Sequence, residues 1–198
     1  RVATISSGLP LKGEKMVKLP IYLSLEHKKI LVVGGGNAAL IKIKTLLELK
    51  ADFMVIAKTF TEQTEQLLQK YAIVYQKKEI EQQDLQGMFL VFAAAQKNIN
   101  DTIAEWAGKQ NILCCKADGS GDFMVPFYKR QGNLTVAVST DGLFPLLGRK
   151  FCENMDLSIG NDLEYLGEQR RQILQNFTDR QQRKIALQQL LEEYYHEN

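Results

Sequence analysis

Short apolar runs alternate with amphipathic segments over the first part of the chain. Four consecutive apolar residues, Ile30–Val33, are typical of a strand that is covered on both faces of a sheet. Apolar residues then recur at helical spacing from Leu40 to Leu49, which predicts a helix over residues 37–50. The same alternation predicts further strands over residues 52–57, 73–75, 88–95 and 112–115, and further helices over residues 61–71 and from Asn98 or Asn100 to Lys109.

This alternation predicts the fold class. Strands and helices that alternate with short connections form parallel sheets, because each right-handed crossover helix returns the chain to the same end of the sheet. We therefore predict an α/β fold with a doubly wound parallel sheet over residues 17–116. Residues 1–16 are expected to be a leader or an expression remnant outside that fold.

The pattern changes after the fifth predicted strand. Two apolar segments, residues 123–128 and 134–139, flank a polar stretch with a glycine, which predicts a β-hairpin. A two-stranded ribbon is marginal alone, so we expect residues 117–144 to be a small β module that mediates dimerisation. The rest, 145–198, is predicted to be helical, with helices over residues 146–155, 162–177 and 179–195 and with Thr178 or Asp179 as a cap.

A glycine turn joins the first strand to the first helix and indicates a nucleotide site. In the spacing Gly-x-Gly-x-x-Ala, Gly34 makes the tight turn, Gly36 admits a diphosphate, and Ala39 allows helix and strand to pack. The start of the helix offers amide groups and a positive dipole end to an anion. We include Gly35 in the same cofactor contact and predict a Rossmann-type domain, although many such turns carry glycine only for steric reasons.

Ligands of doubly wound sheets bind beyond the carboxyl ends of the strands. Besides the glycine turn, this rule nominates the segment Lys58-Thr59, the loop Ala94–Lys97 with Ala95 as a cofactor contact, and the loop 116–122.

Composition limits the function classes further. The formal net charge of +2 gives no reason to expect a nucleic-acid partner, and no segment approaches the roughly 18 apolar residues that cross a bilayer. Cys114, Cys115 and Cys152 lack the spacing of a zinc site or a disulfide framework, and the chain has only two histidines. We expect a cytoplasmic protein without a membrane partner and assign no metal site.

Several segments, kept in order, resemble one family. They are Leu19–Tyr22, the glycine turn, the loop around Asp118, Asp122–Pro126, and Val138–Pro145 with its Ser-Thr-Asp-Gly element. Over residues 17–155 the sequence resembles the precorrin-2 dehydrogenase / sirohydrochlorin ferrochelatase family, which includes the dehydrogenase-type domain of siroheme synthase. The resemblance implies NAD-dependent removal of two electrons from the tetrapyrrole precorrin-2, giving sirohydrochlorin for siroheme biosynthesis.

The resemblance also implies site residues. It places cofactor contacts on Asn37 and Ala38 and on Lys58 and Thr59, and it makes Asp118 the candidate base. A carboxylate at the sheet edge could accept the proton that the reaction releases. An aspartate in a loop rich in glycine and serine is also commonly a turn former, and both interpretations stay open.

A substrate that carries many carboxylates is expected to bind near cations. Lys129, Arg130 and Arg149 are the candidates, although for each one singly a surface role in solubility is the simpler interpretation. Ser139 falls on a serine that is modified in some relatives, and we place it on the substrate side; a serine at a strand end also often caps a turn.

Three questions stay open at this point. Lys58 stands where dinucleotide folds usually carry an acid, so charge does not exclude NADP, although the family resemblance favours NAD. The enzyme could also, or only, insert ferrous iron into sirohydrochlorin. A protein that binds NAD without catalysis and acts as a sensor is the remaining alternative.

Overall fold

A computed structural model describes residues 18–197 of the chain. These residues divide into two compact units, with the boundary between Asp122 and Phe123. The expected leader, residues 1–16, lies outside the described residues.

The first unit contains a five-stranded parallel sheet in the order β3-β2-β1-β4-β5. Its strands are β1 (Ile30–Val33), β2 (Phe53–Ala57), β3 (Tyr75–Lys77), β4 (Leu90–Ala93) and β5 (Leu113–Lys116). Its helices are α1 (Asn37–Glu48), α2 (Glu62–Lys70) and α3 (Lys97–Lys109), and a 3-10 turn over Gln82–Leu85 precedes β4. The chain adds β2 and β3 on one side of β1 and then crosses over to add β4 and β5 on the other side. The carboxyl ends of β1 and β4 therefore border a crevice. The predicted doubly wound sheet is confirmed.

The core lies at the centre of this sheet. Every residue of β1 and β4 is buried, which agrees with the uninterrupted apolar runs in the sequence. Helix α1 buries Ala39, Leu40, Ile43 and Leu46 in its apolar stripe. Full burial of the leucine and isoleucine side chains contributes about 1.5 to 3 kcal/mol each, so this face holds α1 on the sheet.

The predicted position of the third strand is wrong by two residues. The strand is β3, Tyr75–Lys77, rather than residues 73–75. Apolar character predicted the earlier position, but Val74 is 65% exposed because β3 is an edge strand that pairs only with β2. Ala72 lies in the connection from α2 to β3 and has a backbone φ of 51°, in the left-handed region.

The predicted cap of α3 is also wrong. Gln96 occupies the N-cap, and Asn98 and Asn100 both lie inside the helix. The side chain of Asn100 instead reaches back to the loop before the helix, where it contacts Ala95. A short polar side chain near a helix start bonds whichever backbone groups lie within reach, and here these belong to the preceding loop.

The second unit combines a hairpin with helices. Its strands β6 (Phe127–Gln131) and β7 (Leu134–Val138) pair antiparallel, and its helices are α4 (Pro145–Asn154), α5 (Leu163–Asn176) and α6 (Arg180–Glu197). The predicted hairpin is confirmed but its first strand is displaced: Lys129 and Arg130 lie in β6 and not in the turn, since the turn needs only Gly132 and Asn133. Asp179 caps α6 as predicted, because the Gln182 N–H donates to its carboxylate at 2.8 Å. Within residues 18–197, no helix has the length and apolar character that crossing a bilayer requires.

Candidate functional site

A cleft of about 650 Å³ lies at the carboxyl ends of β1, β2 and β4 in the first unit. This volume is typical of a pocket for a small organic ligand. The glycine turn, the segment Lys58-Thr59 and the loop after β4 border it, so three of the nominated segments come together in one place. Residues that line the cleft include Val33, Gly34, Gly35, Gly36, Ile56, Ala57, Lys58, Thr59, Lys78, Glu79, Ile80, Ala94, Ala95, Gln96, Ile99, Thr102 and Trp106.

The three glycines of the turn have different physical roles. A Cβ on Gly34 would lie 2.2 Å from the Ala94 carbonyl oxygen, and its φ of +133° suits glycine. A Cβ on Gly35 would lie 2.1 Å from the Thr59 carbonyl oxygen, so this glycine allows two loops of the cleft to pack together. A Cβ on Gly36 would meet no heavy atom of the described residues within 4 Å, apart from those of its chain neighbours. Steric packing therefore explains Gly34 and Gly35, whereas no such contact requires glycine at position 36.

The start of α1 follows directly on this open position. Gly36 is the N-cap of α1, and Asn37 and Ala38 form its exposed first turn. The amide groups of a first turn have no partner inside the helix and attract anions. Ala39 is fully buried, in agreement with its predicted packing role. The start of α1 could therefore hold an anionic group of a ligand.

The loop between β4 and α3 is fixed by a buried asparagine. The Ala95 N–H donates to Asn100 Oδ1 at 2.8 Å, and Asn100 Nδ2 donates to the Ala95 carbonyl at 3.1 Å. Asn100 is only 6% exposed, so the side chain that makes these bonds is buried. Ala95 lines the cleft as predicted, but its N–H is already engaged. A ligand would contact its methyl group or the second lone pair of its carbonyl oxygen.

A lysine and a glutamate form an ion pair at the rim of the cleft. Ala57 of β2 is level with Lys77 of β3, so the residues that follow these two strands emerge next to each other. Lys58 Nζ donates to Glu79 Oε1 at 2.6 Å. This hydrogen bond raises the pKa of Lys58 and lowers the pKa of Glu79, and both groups are charged at neutral pH.

Asp118 lies two residues after β5 and is exposed. Its Oδ1 accepts the Ser120 hydroxyl at 2.6 Å and the Ser120 N–H at 2.9 Å. These bonds, with weaker contributions from Lys116 and Lys97, hold the pKa of Asp118 below its usual range. The residue therefore forms the turn that the sequence allowed for, and it carries its negative charge at neutral pH.

Asp122 shapes the same loop. Its carboxylate accepts the Cys114 N–H at 2.9 Å, and its own N–H donates to the Cys114 carbonyl at 2.8 Å. The loop thus folds back along β5 and places Asp118 at the edge of the sheet. Burial raises the pKa of the Cys114 thiol to about 11, so this cysteine stays protonated.

The predicted substrate cations lie in the second unit. Lys129 Nζ donates to the carbonyls of Glu153 and Met155 at 2.9 and 2.7 Å, which caps the end of α4. The guanidinium of Arg149 lies 5.6 Å from the centre of the Phe127 ring. The sequence analysis missed these structural roles, for which it had no signal, because they depend on how α4 packs against β6.

Two further predicted residues of this unit make local bonds. The Arg130 side chain donates to the Gly132 carbonyl at 3.3 Å across the hairpin turn. The Ser139 hydroxyl accepts the Asp141 N–H at 3.1 Å and so caps the turn after β7. Both side chains are exposed enough to contact a ligand as well.

The side chains that could bind a metal are dispersed. Among the described residues, the structure contains no group of three or more histidine, cysteine, aspartate or glutamate side chains that could bind a metal ion.

A match to a protein-family model defines the class of protein to which the chain belongs. A family model described as "Putative NAD(P)-binding" matches residues 21–127, which is more than half of the chain and contains every residue that lines the cleft. The fold, the glycine turn and this match together define an NAD(P)-binding protein with a Rossmann-like sheet.

Individual relatives define the family within that class. The precorrin-2 dehydrogenase of Bacillus subtilis (strain 168) is 32% identical over 146 residues, which cover 73% of this chain and 90% of that protein. The solved structure of SirC, precorrin-2 dehydrogenase, matches with a TM-score of 0.63 at 25% identity, covering 89% of this chain and 98% of that one. The chain belongs to the precorrin-2 dehydrogenase family.

Longer proteins also contain this domain. The siroheme synthase of Pseudoalteromonas translucida (strain TAC 125) is 31% identical over 147 residues, which cover 73% of this chain but 31% of that protein. The chain thus spans about a third of the length of that siroheme synthase.

Proposed function

We propose that this chain oxidises precorrin-2 to sirohydrochlorin with NAD as the electron acceptor, as a step toward siroheme. The observation that carries the proposal is the cleft at the carboxyl ends of β1, β2 and β4, in a chain that is 32% identical to the precorrin-2 dehydrogenase of Bacillus subtilis (strain 168). The bound dinucleotide supplies the hydride acceptor.

The residues of the cleft fit a dinucleotide. The open space at Gly36 next to the first turn of α1 suits a diphosphate. Apolar side chains that also line the cleft, Ile80, Ile99 and Trp106, suit the flat face of an adenine ring. Because Asn100 fixes the loop after β4, this part of the cleft is formed before a ligand arrives.

Asp118 is the proposed proton acceptor. Oxidation of precorrin-2 removes a hydride, which goes to NAD, and a proton, which a base must take. The Asp118 carboxylate is ionised at neutral pH and lies in the loop after β5, at the same edge of the sheet as the cleft. Its lowered pKa makes it a weak base, so positioning would contribute more than basicity.

The test is an assay with precorrin-2 and NAD in which sirohydrochlorin absorbance and NADH formation are both followed. Formation of both products in equal amounts supports the proposal. Tight NAD binding without turnover would identify a sensor, and incorporation of ferrous ion into supplied sirohydrochlorin would reveal chelatase activity.

A pair of variants separates chemistry from folding at Asp118. Asp118→Asn retains an oxygen that can accept from Ser120 but loses the proton acceptor, so we expect it to bind NAD normally and to lose activity. Ser120→Ala retains the carboxylate and serves as the control for the turn. Full activity of Asp118→Asn would remove this residue from the mechanism.

We place the carboxylates of the substrate near Arg130, Arg149 and Ser139. Exposure of these side chains supports the assignment, and Lys129 takes part less directly because its ammonium group already caps α4. Replacing Arg149 by methionine should raise KM for precorrin-2 and leave NAD binding unchanged. An unchanged KM would contradict this assignment.

We also propose that the chain forms a homodimer through the second unit. Five apolar residues around α4 are 55 to 82% exposed, and they belong to a unit whose sheet has only two strands. They are Leu143, Phe144, Leu146, Leu147 and Phe151. Sedimentation at micromolar concentration should show a dimer that Leu147→Glu dissociates and that Lys150→Glu, on the same helix, does not. A monomeric wild type would refute this.

A cytoplasmic location is the remaining part of the proposal. Cys114, Cys115 and Cys152 are all free thiols and all buried, which suits a reducing compartment. Fractionation of cells should recover the protein with cytoplasmic markers.

A further inference from the structure

The acidic residue at the rim of the cleft comes from β3 and not from β2. In dinucleotide folds an acid after the second strand commonly binds the ribose hydroxyls of NAD, whereas a cation nearby accommodates the 2′-phosphate of NADP. Here the residue after β2 is Lys58, and its position alone would favour NADP. Glu79, two residues after β3, reaches back to this position and pairs with Lys58 at 2.6 Å.

Lys78, the second lysine that lines the cleft, is also paired with carboxylates. Lys78 Nζ lies 2.7 Å from the Asp84 carboxylate and 3.8 Å from the Glu81 carboxylate. These carboxylates raise the pKa of Lys78, which is charged and engaged at neutral pH. Both lysines that line the cleft are therefore paired with carboxylates, and of these carboxylates Glu79 is the one that itself lines the cleft.

We propose that Glu79 is the residue that makes this chain prefer NAD to NADP, by neutralising Lys58 and by accepting a hydrogen bond from the adenosine ribose. A carboxylate has two oxygens, so Glu79 can retain Lys58 on one and receive a hydroxyl on the other. Both side chains are about three-quarters exposed, which leaves them accessible to a ligand. The inference rests on the proposed function and names the specificity residue of its cofactor site.

The charge balance gives the direction of the effect. A 2′-phosphate carries close to two negative charges, and the Glu79 carboxylate would repel it at a distance of a few ångströms. Replacing Glu79 by glutamine removes the repulsion and frees the Lys58 ammonium for the phosphate. The same change replaces a charged acceptor for the ribose by a neutral one, which weakens NAD binding.

Fluorescence gives a readout that is independent of turnover. Trp106 is the single tryptophan of the chain and lines the cleft, so bound NADH or NADPH should quench its emission by accepting energy. For the wild type we expect NADH to bind at least tenfold more tightly than NADPH. For Glu79→Gln we expect about threefold weaker NADH binding and about tenfold tighter NADPH binding, which lowers the preference about thirtyfold.

Two further variants test the mechanism. In Glu79→Gln combined with Lys58→Met, the gain in NADPH affinity should disappear, because the released cation is missing. Glu65→Gln is the matched control, since Glu65 forms an ion pair of 2.7 Å with Lys77 on the neighbouring part of β3 and does not line the cleft. It makes the same change in net charge and should leave the preference unchanged.

The possible outcomes are distinct. A preference that stays within twofold in Glu79→Gln, or a wild type that binds NADPH as tightly as NADH, overturns the inference and leaves dinucleotide-dependent oxidation in place. A wild type that binds neither NADH nor NADPH by fluorescence and by calorimetry overturns the proposed function as well. An equal loss of preference in Glu65→Gln also overturns the inference, because net charge alone would then explain it.

Discussion

Removal of the Asn100 side chain should loosen the loop between β4 and α3. Two hydrogen bonds to Ala95, at 2.8 and 3.1 Å, would be lost in Asn100→Ala. Each bond contributes about 1 kcal/mol net, and the better helix propensity of alanine returns about 0.5 kcal/mol. Ala95 is half-buried, so water can reach its freed groups and the full desolvation penalty does not apply. We therefore expect the free energy of unfolding to fall by about 1.5 kcal/mol.

Urea unfolding followed by Trp106 fluorescence is the appropriate measurement. The single tryptophan lies in the first unit, so its signal reports on that unit even if the second unfolds separately. Asn98→Ala is the matched control, because Asn98 is an exposed residue of the same helix turn and its replacement changes helix propensity alone. We expect it to be neutral or slightly stabilising.

The same variants should differ in cofactor affinity. In Asn100→Ala the loop must be ordered when a ligand binds, which should weaken NADH binding about threefold to tenfold. If Asn100→Ala and Asn98→Ala have the same stability within 0.5 kcal/mol, or bind NADH equally well, then the asparagine does not fix the loop and the reasoning is refuted.

Three further predictions concern other parts of the two units. Gly35→Ala should destabilise the first unit by about 3 kcal/mol in urea unfolding, because the new Cβ would lie 2.1 Å from a backbone oxygen. Gly36→Ala should fold normally and lose NADH affinity. Similar stabilities of the two variants would contradict this prediction. Ser120→Ala removes the hydroxyl hydrogen bond, which is the largest cause of the lowered pKa of Asp118, so the acid limb of the pH–rate profile should move to higher pH. An unmoved limb would show that it does not report on Asp118. Lys129→Met should lower the stability of the second unit by about 1 to 2 kcal/mol in thermal unfolding, because α4 loses two bonds to its last carbonyls, and an unchanged midpoint would exclude this capping role.

The sequence predicted the sheet well because burial and periodicity determine its central strands. β1 and β4 are apolar throughout, and strands covered on both faces are recognised by that property alone. The edge strand β3 was misplaced because backbone pairing with β2 forms it while its side chains stay partly exposed. The strand β6 was displaced for a similar reason: its polar residues belong to a small sheet that does not require burial on two faces.

The site was predicted less completely, because its long-range pairs are set by the topology. The glycine turn and the segment Lys58-Thr59 follow from local motifs, and both border the cleft. Glu79 is 21 residues from Lys58 in the sequence, and only the register of β2 and β3 brings them together. A usable signal existed: once parallel neighbouring strands are predicted, the residues just after each strand should be searched for opposite charges.

Each loop at the functional edge of the sheet is fixed by one side chain bonded to backbone. Thr61 donates its hydroxyl to the Gly35 carbonyl at 3.3 Å, Asn100 pairs with Ala95, and Asp122 accepts the Cys114 N–H. These bonds hold the loops without using the open position at Gly36, where a diphosphate would bind. A site that is rigid before binding loses less conformational entropy when the ligand arrives. The ion pair of Lys58 and Glu79 at the rim of the cleft is exposed, and an exposed ion pair contributes little to the stability of a fold. The sheet already holds the strands that precede these two residues. We therefore assign the pair to the selection of the ligand.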